Sequence, residues 1–176
     1  MRYKRNYIVV LLLFILLFSF DINARAESEL YGEGTLDNPY KISTVNDLLV
    51  FKEKVDAGDT FSGKYVEQTT NIDLSVCGDW DAIGGIDKGT FFDGVYNGKG
   101  HYIENIKINK PEKDVAFFGW LSGTVINLGI ESGSIEGNCA AGIAAHANGN
   151  SARIINCYNK AMIIGNRAGG IADDFD

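Results

Sequence analysis

The chain has 176 residues, 21 of them glycine, and a formal net charge of −7 at pH 7. A chain with this negative charge lacks the positive surface potential that attracts nucleic acids and anionic lipid surfaces. Neither is therefore expected as a partner. The length fits one domain rather than several.

The first 26 residues are predicted to be a secretory signal peptide. Basic residues open the chain, an apolar run covers 7–20, and Ala24-Arg25-Ala26 fits a small-residue cleavage site. The apolar run is shorter than the roughly 20 residues that a membrane-spanning helix needs, which favours cleavage over an uncleaved anchor. We therefore predict a secreted or cell-surface protein that has no membrane segment after cleavage.

Residues 27–63 are predicted to form an N-terminal strand and a capping helix. Tyr40-Lys41-Ile42 is a short strand, and Thr44 followed three residues later by Asp47 resembles a capping box. Gly58 then suits the end of the helix. The helix itself is predicted from one apolar stripe at helical spacing, made of Leu48, Phe51 and Val55.

From residue 64 onward, short runs rich in Ile and Val alternate with Gly and Asn turns. The run 125–128 recurs at 154–157, an offset of 29 residues, and 141–144 recurs at 169–172, an offset of 28. A repeat of this length built from short apolar runs predicts stacked strands of a solenoid rather than helices. Three of the predicted strands cover 101–108, 124–130 and 153–158.

An asparagine occurs at the same place in each copy of the repeat. A more divergent copy, 103–106, aligns with 125–128 at an offset of 22 residues, so Asn105, Asn127 and Asn156 share one position. Stacked copies would place the three side chains in a column, where each can hydrogen-bond the neighbouring coil. We expect a structural ladder here rather than contact with a ligand.

Cysteine and histidine give little sign of chemistry. Cys77, Cys139 and Cys157 are an odd number in an exported chain and allow at most one disulfide. Cys157 replaces Leu128 in the repeat, which favours three buried or semi-buried thiols over a bridge. His101 follows a glycine-rich turn and is expected to be a turn residue. With neither C-x-x-C nor H-E-x-x-H present, we predict no catalytic residue, metal site or cofactor.

The best ligand-binding candidate is Trp80, which lies between the carboxylates Asp79 and Asp81. An indole beside two carboxylates suits a sugar-stacking platform, and paired carboxylates carry out glycoside hydrolysis. Packing of Trp80 in the core is the favoured alternative. A calcium site on Asp73, Asp79 or Asp81 suits the preference of Ca²⁺ for oxygen ligands, but the spacing is not that of an EF-hand loop.

An ordered series of motifs resembles bacterial surface proteins that carry the GLUG motif. The matching segments are 34–42, 71–74, 80–84 and 92–103, and 141–144 and 169–172 stand where that family has its Gly-Leu-x-Gly signature. The resemblance covers nearly all of 32–172, although both signatures end here in Ala. It implies a right-handed parallel β-helix, as in adhesin-like proteins and beside the protease domains of IgA1 metallopeptidases. The family has no agreed catalytic residues to carry over.

The expected fold is therefore all-β, a right-handed parallel β-helix over 64–176 behind an N-terminal capping helix. We expect an exported, non-catalytic module for surface adhesion or display, binding a host or cell-wall glycan or a surface protein. A carbohydrate-active β-helix enzyme and the N-terminal stub of a larger surface protein are the alternatives. Residues 169–172 open a coil that the chain does not finish, so an edge open to association is expected at the C-terminus. The acidic residues 173–176 would limit that association.

Overall fold

The computed structural model describes residues 29–148 and 152–175. The predicted signal peptide lies outside the described residues. Within the described part, one α-helix, one short 3₁₀ turn and fifteen short strands occur, and no helix there is long and apolar enough to cross a membrane. In chain order the strands are β1 (Tyr40–Ile42), β2 (Tyr65–Gln68), β3 (Ile72–Asp73), β4 (Val95–Asn97), β5 (Tyr102–Glu104), β6 (Ile106–Lys110), β7 (Phe118–Leu121), β8 (Thr124–Ile126), β9 (Gly129–Ile130), β10 (Gly133–Ala141), β11 (Ala144–Ala147), β12 (Arg153–Ile155), β13 (Tyr158–Asn159), β14 (Met162–Gly169) and β15 (Ala172–Phe175).

The helix α1 (Val45–Asp56) forms where the sequence predicts it. The hydroxyl of Thr44 accepts a 3.1 Å hydrogen bond from the N–H of Asp47, and the Asp47 carboxylate accepts one of 2.9 Å from the N–H of Thr44. This reciprocal pair satisfies two donors that a helix start leaves open. The buried face of the helix places the ring of Phe51 against those of Phe92 and Tyr96, at centroid distances of 5.3 and 5.7 Å. The helix therefore covers the aromatic part of the core.

All strand pairs within the four sheets are parallel. The first sheet has the order β1-β2-β4-β8-β12 and the second β3-β5-β9-β13, while β6-β10-β14 and β7-β11-β15 form the third and fourth. Strands β4 to β7 take one place in each sheet in turn, as do β8 to β11 and β12 to β15. Successive passes of the chain thus lie on one another as coils. The all-β prediction is confirmed, and the arrangement is β-helix-like.

Strand register tests the repeat that the sequence showed. Val125 pairs with Ile154, and Ala144 pairs with Ala172, so the offsets of 29 and 28 residues are confirmed. The divergent upstream copy was misaligned, because the partner of Val125 in the previous coil is Tyr96 rather than Ile103. Ile103 lies in the second sheet, whereas Val125 lies in the first. Similar residues around an asparagine corner made two different sides of the coil look alike.

The repeat asparagines mark corners rather than strand interiors. Asn105, Asn127 and Asn156 have φ values of 57°, 53° and 52°. This left-handed conformation is costly for most residues and is tolerated by Asn. Each of the three predicted strands that contained one of them is consequently split in two. The turn sends the chain from one sheet into the next, so the asparagines are needed for the coil to bend.

The core changes character along the stack. Its N-terminal part is aromatic, with fully buried side chains Phe51, Phe61, Phe92, Tyr96, Phe117 and Phe118. Inside this cluster the hydroxyl of Tyr96 donates a 3.0 Å hydrogen bond to Oε1 of Gln68, which is itself buried. Towards the C-terminus aliphatic residues replace the rings. In the last coil the interior residues Ile154, Cys157 and Ile163 are only half-buried.

Candidate functional site

Trp80 does not offer a surface for a sugar. Its ring is 2% exposed and stacks on Phe117 with centroids 5.7 Å apart and planes 11° from parallel. The indole N–H donates to the carbonyl oxygen of Phe117 at 3.4 Å. A ring with both faces covered cannot stack on a ligand. The structure therefore places Trp80 in the packing role that the sequence favoured over the platform.

The two carboxylates beside Trp80 have separate partners. Asp79 accepts a 2.8 Å hydrogen bond from the N–H of Asn109 and so supports the third sheet. Asp81 contacts the ammonium groups of Lys88, at 2.7 Å, and Lys110. Partial burial opposes ionisation of Asp81, but hydrogen bonds from these lysines outweigh it and hold its pKa below the ordinary value. A carboxyl group held ionised in this way is unsuited to act as a general acid.

The lysines around Asp81 also fasten the helix to the coils. Lys88 lies 3.0 Å from the carboxylate of Asp56, and Lys52 lies 2.5 Å from it. The other oxygen of Asp56 accepts a 2.9 Å hydrogen bond from the N–H of Gly84. This cluster joins the end of α1 to the segment that follows Trp80. Its geometry is that of a structural clamp.

Two of the three repeat asparagines form a ladder, and the third stands apart. Asn156 Nδ2 donates to Asn127 Oδ1 at 2.7 Å, and Asn127 Nδ2 donates to Asn97 Oδ1 at 3.2 Å. Asn105 instead donates to Asp73 Oδ1 at 2.9 Å. The expected single column is therefore wrong in this one respect. The physical reason is that Asn105 follows a strand of the second sheet, whereas the other three lie at the end of the first.

A polar pocket that the sequence did not single out lies between the third and fourth sheets. His146 on β11 has its Nε2 3.0 Å from Oδ2 of Asp114. The other oxygen of Asp114 accepts from the N–H of Cys139 at 3.1 Å and from Nδ2 of Asn138 at 3.2 Å. The pocket measures about 280 Å³ and is lined by Ile86, Asp87, Glu112, Lys113, Asp114, Asn138 and His146.

The charge of Asp114 is stabilised from three sides. Burial opposes its ionisation, but the hydrogen bonds from Cys139, Asn138 and His146 together lower the pKa of Asp114. Asp114 and His146 are about one coil apart in sequence, and only the stacking of coils brings them together. The sequence showed that His146 was one of two histidines, and no local pattern linked it to Asp114.

The thiol next to this pair is not activated. Burial, with the nearby carboxylates of Asp114 and Asp173, raises the pKa of Cys139 to about 12. Burial also raises the pKa of Cys77 and Cys157. A thiol reacts as its thiolate, so these are poor nucleophiles at neutral pH. All three cysteines are free and buried or half-buried, as predicted.

Metal ligands do not converge in the described part of the chain. Over residues 29–148 and 152–175, no group of three or more His, Cys, Asp or Glu side chains is arranged to hold a metal ion. The calcium alternative on Asp73, Asp79 or Asp81 thus gains no support, since these carboxylates hydrogen-bond Asn105, Asn109 and lysines respectively. What the geometry provides is a polar pocket on a β-helix-like scaffold of stacked parallel coils.

Comparison with known proteins gives two similarities. No protein-family model matches the chain. The chain is 32% identical over 155 residues to halomucin of Haloquadratum walsbyi, a match covering 81% of this chain and 2% of halomucin. Its fold is similar to a crystal structure from Bacteroides ovatus, provisionally described as an immunoglobulin A1 protease, with a TM-score of 0.54 and 25% identity. That match covers 82% of this chain and 45% of the other. The chain thus spans less than half the length of either protein.

Proposed function

We propose that this chain is an exported, non-catalytic module that folds as a right-handed parallel β-solenoid and serves in adhesion or display at the cell surface. The single observation that carries the proposal is the in-register stacking of successive coils, which builds a stiff scaffold with an extended outer face. Repeat scaffolds of this kind present binding surfaces rather than enclosed active sites. The GLUG-like series of motifs supports the same assignment.

The two relatives support an extracellular setting. Halomucin has mucin in its name, and the Bacteroides ovatus structure is provisionally described as an immunoglobulin A1 protease. The predicted signal peptide agrees with that setting. In both relatives the matched region is a small or partial segment of a longer protein, so their activities as whole proteins are not transferred to this chain.

The contacts of the charged residues favour the non-catalytic alternative. The carbohydrate-enzyme alternative needed Trp80 at the surface and a carboxyl group able to donate a proton. Trp80 is instead packed on Phe117, and Asp81 is held ionised by Lys88 and Lys110. General acid catalysis needs a group whose pKa lies near the working pH, and a carboxylate stabilised by cations moves away from that range.

For a ligand, we propose that the pocket around His146 binds a hydroxyl-rich glycan. Carboxylates, an ammonium group, an amide and an imidazole line it, and these groups hydrogen-bond sugar hydroxyls readily. The exposed side chain of Ile86 adds an apolar contact at its rim. The sequence led us to expect a glycan partner, and we now propose this pocket, rather than Trp80, as its binding site.

A glycan array tests whether the module binds glycans, and a reducing-sugar assay tests whether it is non-catalytic. The secreted chain should bind a subset of glycans and release no reducing ends. His146→Ala should weaken that binding, while Lys160→Ala, an exposed change in the last coil, should not. If sugar is released and Asp81→Ala abolishes the release, the module is an enzyme and the proposal fails. Binding by no glycan at all would overturn the proposed glycan site and leave display as the role of the module.

A further inference from the structure

The pocket around His146 carries an unbalanced charge. Among the described residues that line it, the carboxylates are those of Asp87, Glu112 and Asp114. Lys113 supplies the single ammonium group of that described lining. The balance is therefore negative whether or not the imidazole of His146 is protonated. The formal net charge of the whole chain, −7 at pH 7, has the same sign. A concave site with this potential attracts a positively charged ligand.

The ammonium group of Lys113 is already paired. Its Nζ lies 2.8 Å from Oδ2 of Asp87, and both side chains are more than half exposed. Within residues 29–148 and 152–175, no lysine or arginine forms an ion pair with Glu112 or Asp114. The lining thus contains two carboxylates whose charge no fixed cation of the described chain neutralises.

Asp114 has acceptor capacity left for a ligand. Its described partners are the N–H of Cys139, the amide of Asn138 and the imidazole of His146. An ionised carboxylate offers about four acceptor sites, so these three partners leave about one open. The side chain is 35% exposed and lines the pocket, so a bound molecule can reach it.

Glu112 presents a second carboxylate to the same pocket. It is exposed, and it forms no hydrogen bond or ion pair with the part of the chain that the structure describes. An ammonium group has three N–H donors and can therefore bond more than one carboxylate. Hydrogen bonds between charged partners are also stronger than those between neutral ones. Glu112 and Asp114 together therefore favour an amine over a neutral group.

The rest of the lining suits a sugar ring better than a metal ion. No group of three or more metal-ligating side chains is arranged around an ion site in the described residues. The volume of about 280 Å³ is close to the lower end for small-molecule pockets, about 300 Å³. The amide of Asn138 and the imidazole of His146 can bond ring hydroxyls, and the exposed side chain of Ile86 can contact an apolar ring face.

We propose that this pocket selects a glycan with a free amino group, of the glucosamine type, whose ammonium group meets the carboxylates of Glu112 and Asp114. The inference rests on the proposed glycan-binding function and specifies the class of sugar. N-acetylation removes the positive charge, and an acidic sugar brings a negative one. Both kinds of sugar therefore bind less tightly than the free amine.

Calorimetric titration of the full secreted chain at pH 6.5 tests this selectivity. The two probes are glucosamine oligomers and N-acetylglucosamine oligomers of equal length, which differ at the amino group alone. The glucosamine oligomers should bind about tenfold more tightly, because only they form charged hydrogen bonds. Added salt should weaken their binding and leave that of the acetylated oligomers in place.

The variant Glu112→Gln should weaken glucosamine binding by about threefold without changing the thermal unfolding curve, because Glu112 has no described partner in the chain. Asp114→Asn should weaken it by about tenfold. The matched control is Asp37→Asn, which removes the same charge from an exposed residue in the turn before β1. That control should bind glucosamine oligomers as the parent does.

Equal binding of the two oligomers, weakened for both by His146→Ala, would overturn the selectivity and leave the glycan site standing. Unchanged glucosamine binding by Glu112→Gln and Asp114→Asn would likewise overturn it. A lysine-rich peptide that bound as tightly as the glucosamine oligomers would show that the pocket selects amines in general, and the assignment to a sugar would be wrong. Binding of no glycan on the array would instead overturn the proposed glycan site, and this inference with it.

Discussion

Asn156 and Asn127 lie in neighbouring coils, and Nδ2 of Asn156 donates a 2.7 Å hydrogen bond to Oδ1 of Asn127. Asn127 Nδ2 in turn donates a 3.2 Å hydrogen bond to Oδ1 of Asn97 in the preceding coil. Both Asn156 and Asn127 also hold the left-handed conformation that turns the chain from the first sheet into the second. One residue type therefore bends the coil and ties it to its neighbour.

Replacing Asn127 by Leu should lower the melting temperature. The change removes two side-chain hydrogen bonds and places a branched side chain in a left-handed conformation, a combined cost of about 2–4 kcal/mol. Thermal unfolding by circular dichroism measures it. Asn127→Gly keeps the conformation accessible and removes only the ladder, so it should cost less. An unchanged melting curve for Asn127→Leu would contradict a structural ladder.

Trp80→Ala should destabilise the fold by about 3–5 kcal/mol, because it empties a core site stacked against Phe117. Trp80→Phe keeps an aromatic ring there and should cost clearly less. Chemical denaturation measures both. If Trp80→Phe folded normally and yet lost glycan binding, Trp80 would contact the ligand and its assignment to packing would be wrong.

Acid should unfold the protein through its paired carboxylates. Hydrogen bonds from lysines or neighbouring donors lower the pKa of Glu67, Asp81 and Asp114 in the folded state. The unfolded chain then binds protons more tightly, so their stabilisation is present above about pH 4 and is lost as the pH falls below it.

The midpoint of urea unfolding, measured from pH 7 to pH 2, reports this loss of stability. Asp81→Asn should reduce the steepness of the acid limb, because it removes one of the titrating groups. High salt should lower the contribution at neutral pH, since Asp81 is partly exposed and its lysine contacts are screened. An acid limb identical in Asp81→Asn and the parent would show that the lysine cluster does not stabilise the fold.

The thiols should react slowly in the folded protein. Cys139 has a pKa raised to about 12, and burial raises the pKa of Cys77 and Cys157. Alkylation at pH 8 should therefore be slow before denaturation and should reach three thiols per chain after it. Mass spectrometry of labelled peptides identifies the order. Rapid labelling of Cys139 in the native state would mean that the pocket beside His146 activates it.

Local signals in the sequence were enough for several elements. The Thr44–Asp47 pair fixed the start of α1, since capping depends on residues three positions apart. The recurrence of 125–128 at 154–157 gave the register between β8 and β12. Both signals are short-range or repeated, and a single chain displays them without reference to the rest of the fold.

The candidate sites could not be predicted from the sequence, because they depend on contacts between coils. Asp114 and His146 share no local pattern, and the acidic sequence neighbours of Trp80 left a ligand platform open beside the favoured packing role. Only the register of the third and fourth sheets brings Asp114 to His146, and only the stacking on Phe117 covers Trp80. The sequence also could not show that Asn105 lies outside the column of Asn127 and Asn156, because local sequence does not indicate which side of a coil a corner residue occupies.

The sequence by itself determined the repeat length, the helix start and the strand-rich class, because each depends on a residue's own conformational preference or on its periodicity. Tertiary structure decided which side chains meet, which are buried, and which side of a coil each asparagine corner belongs to. Those outcomes depend on the offset between coils. That offset is set by packing of the whole interior, so it cannot be read from any one segment.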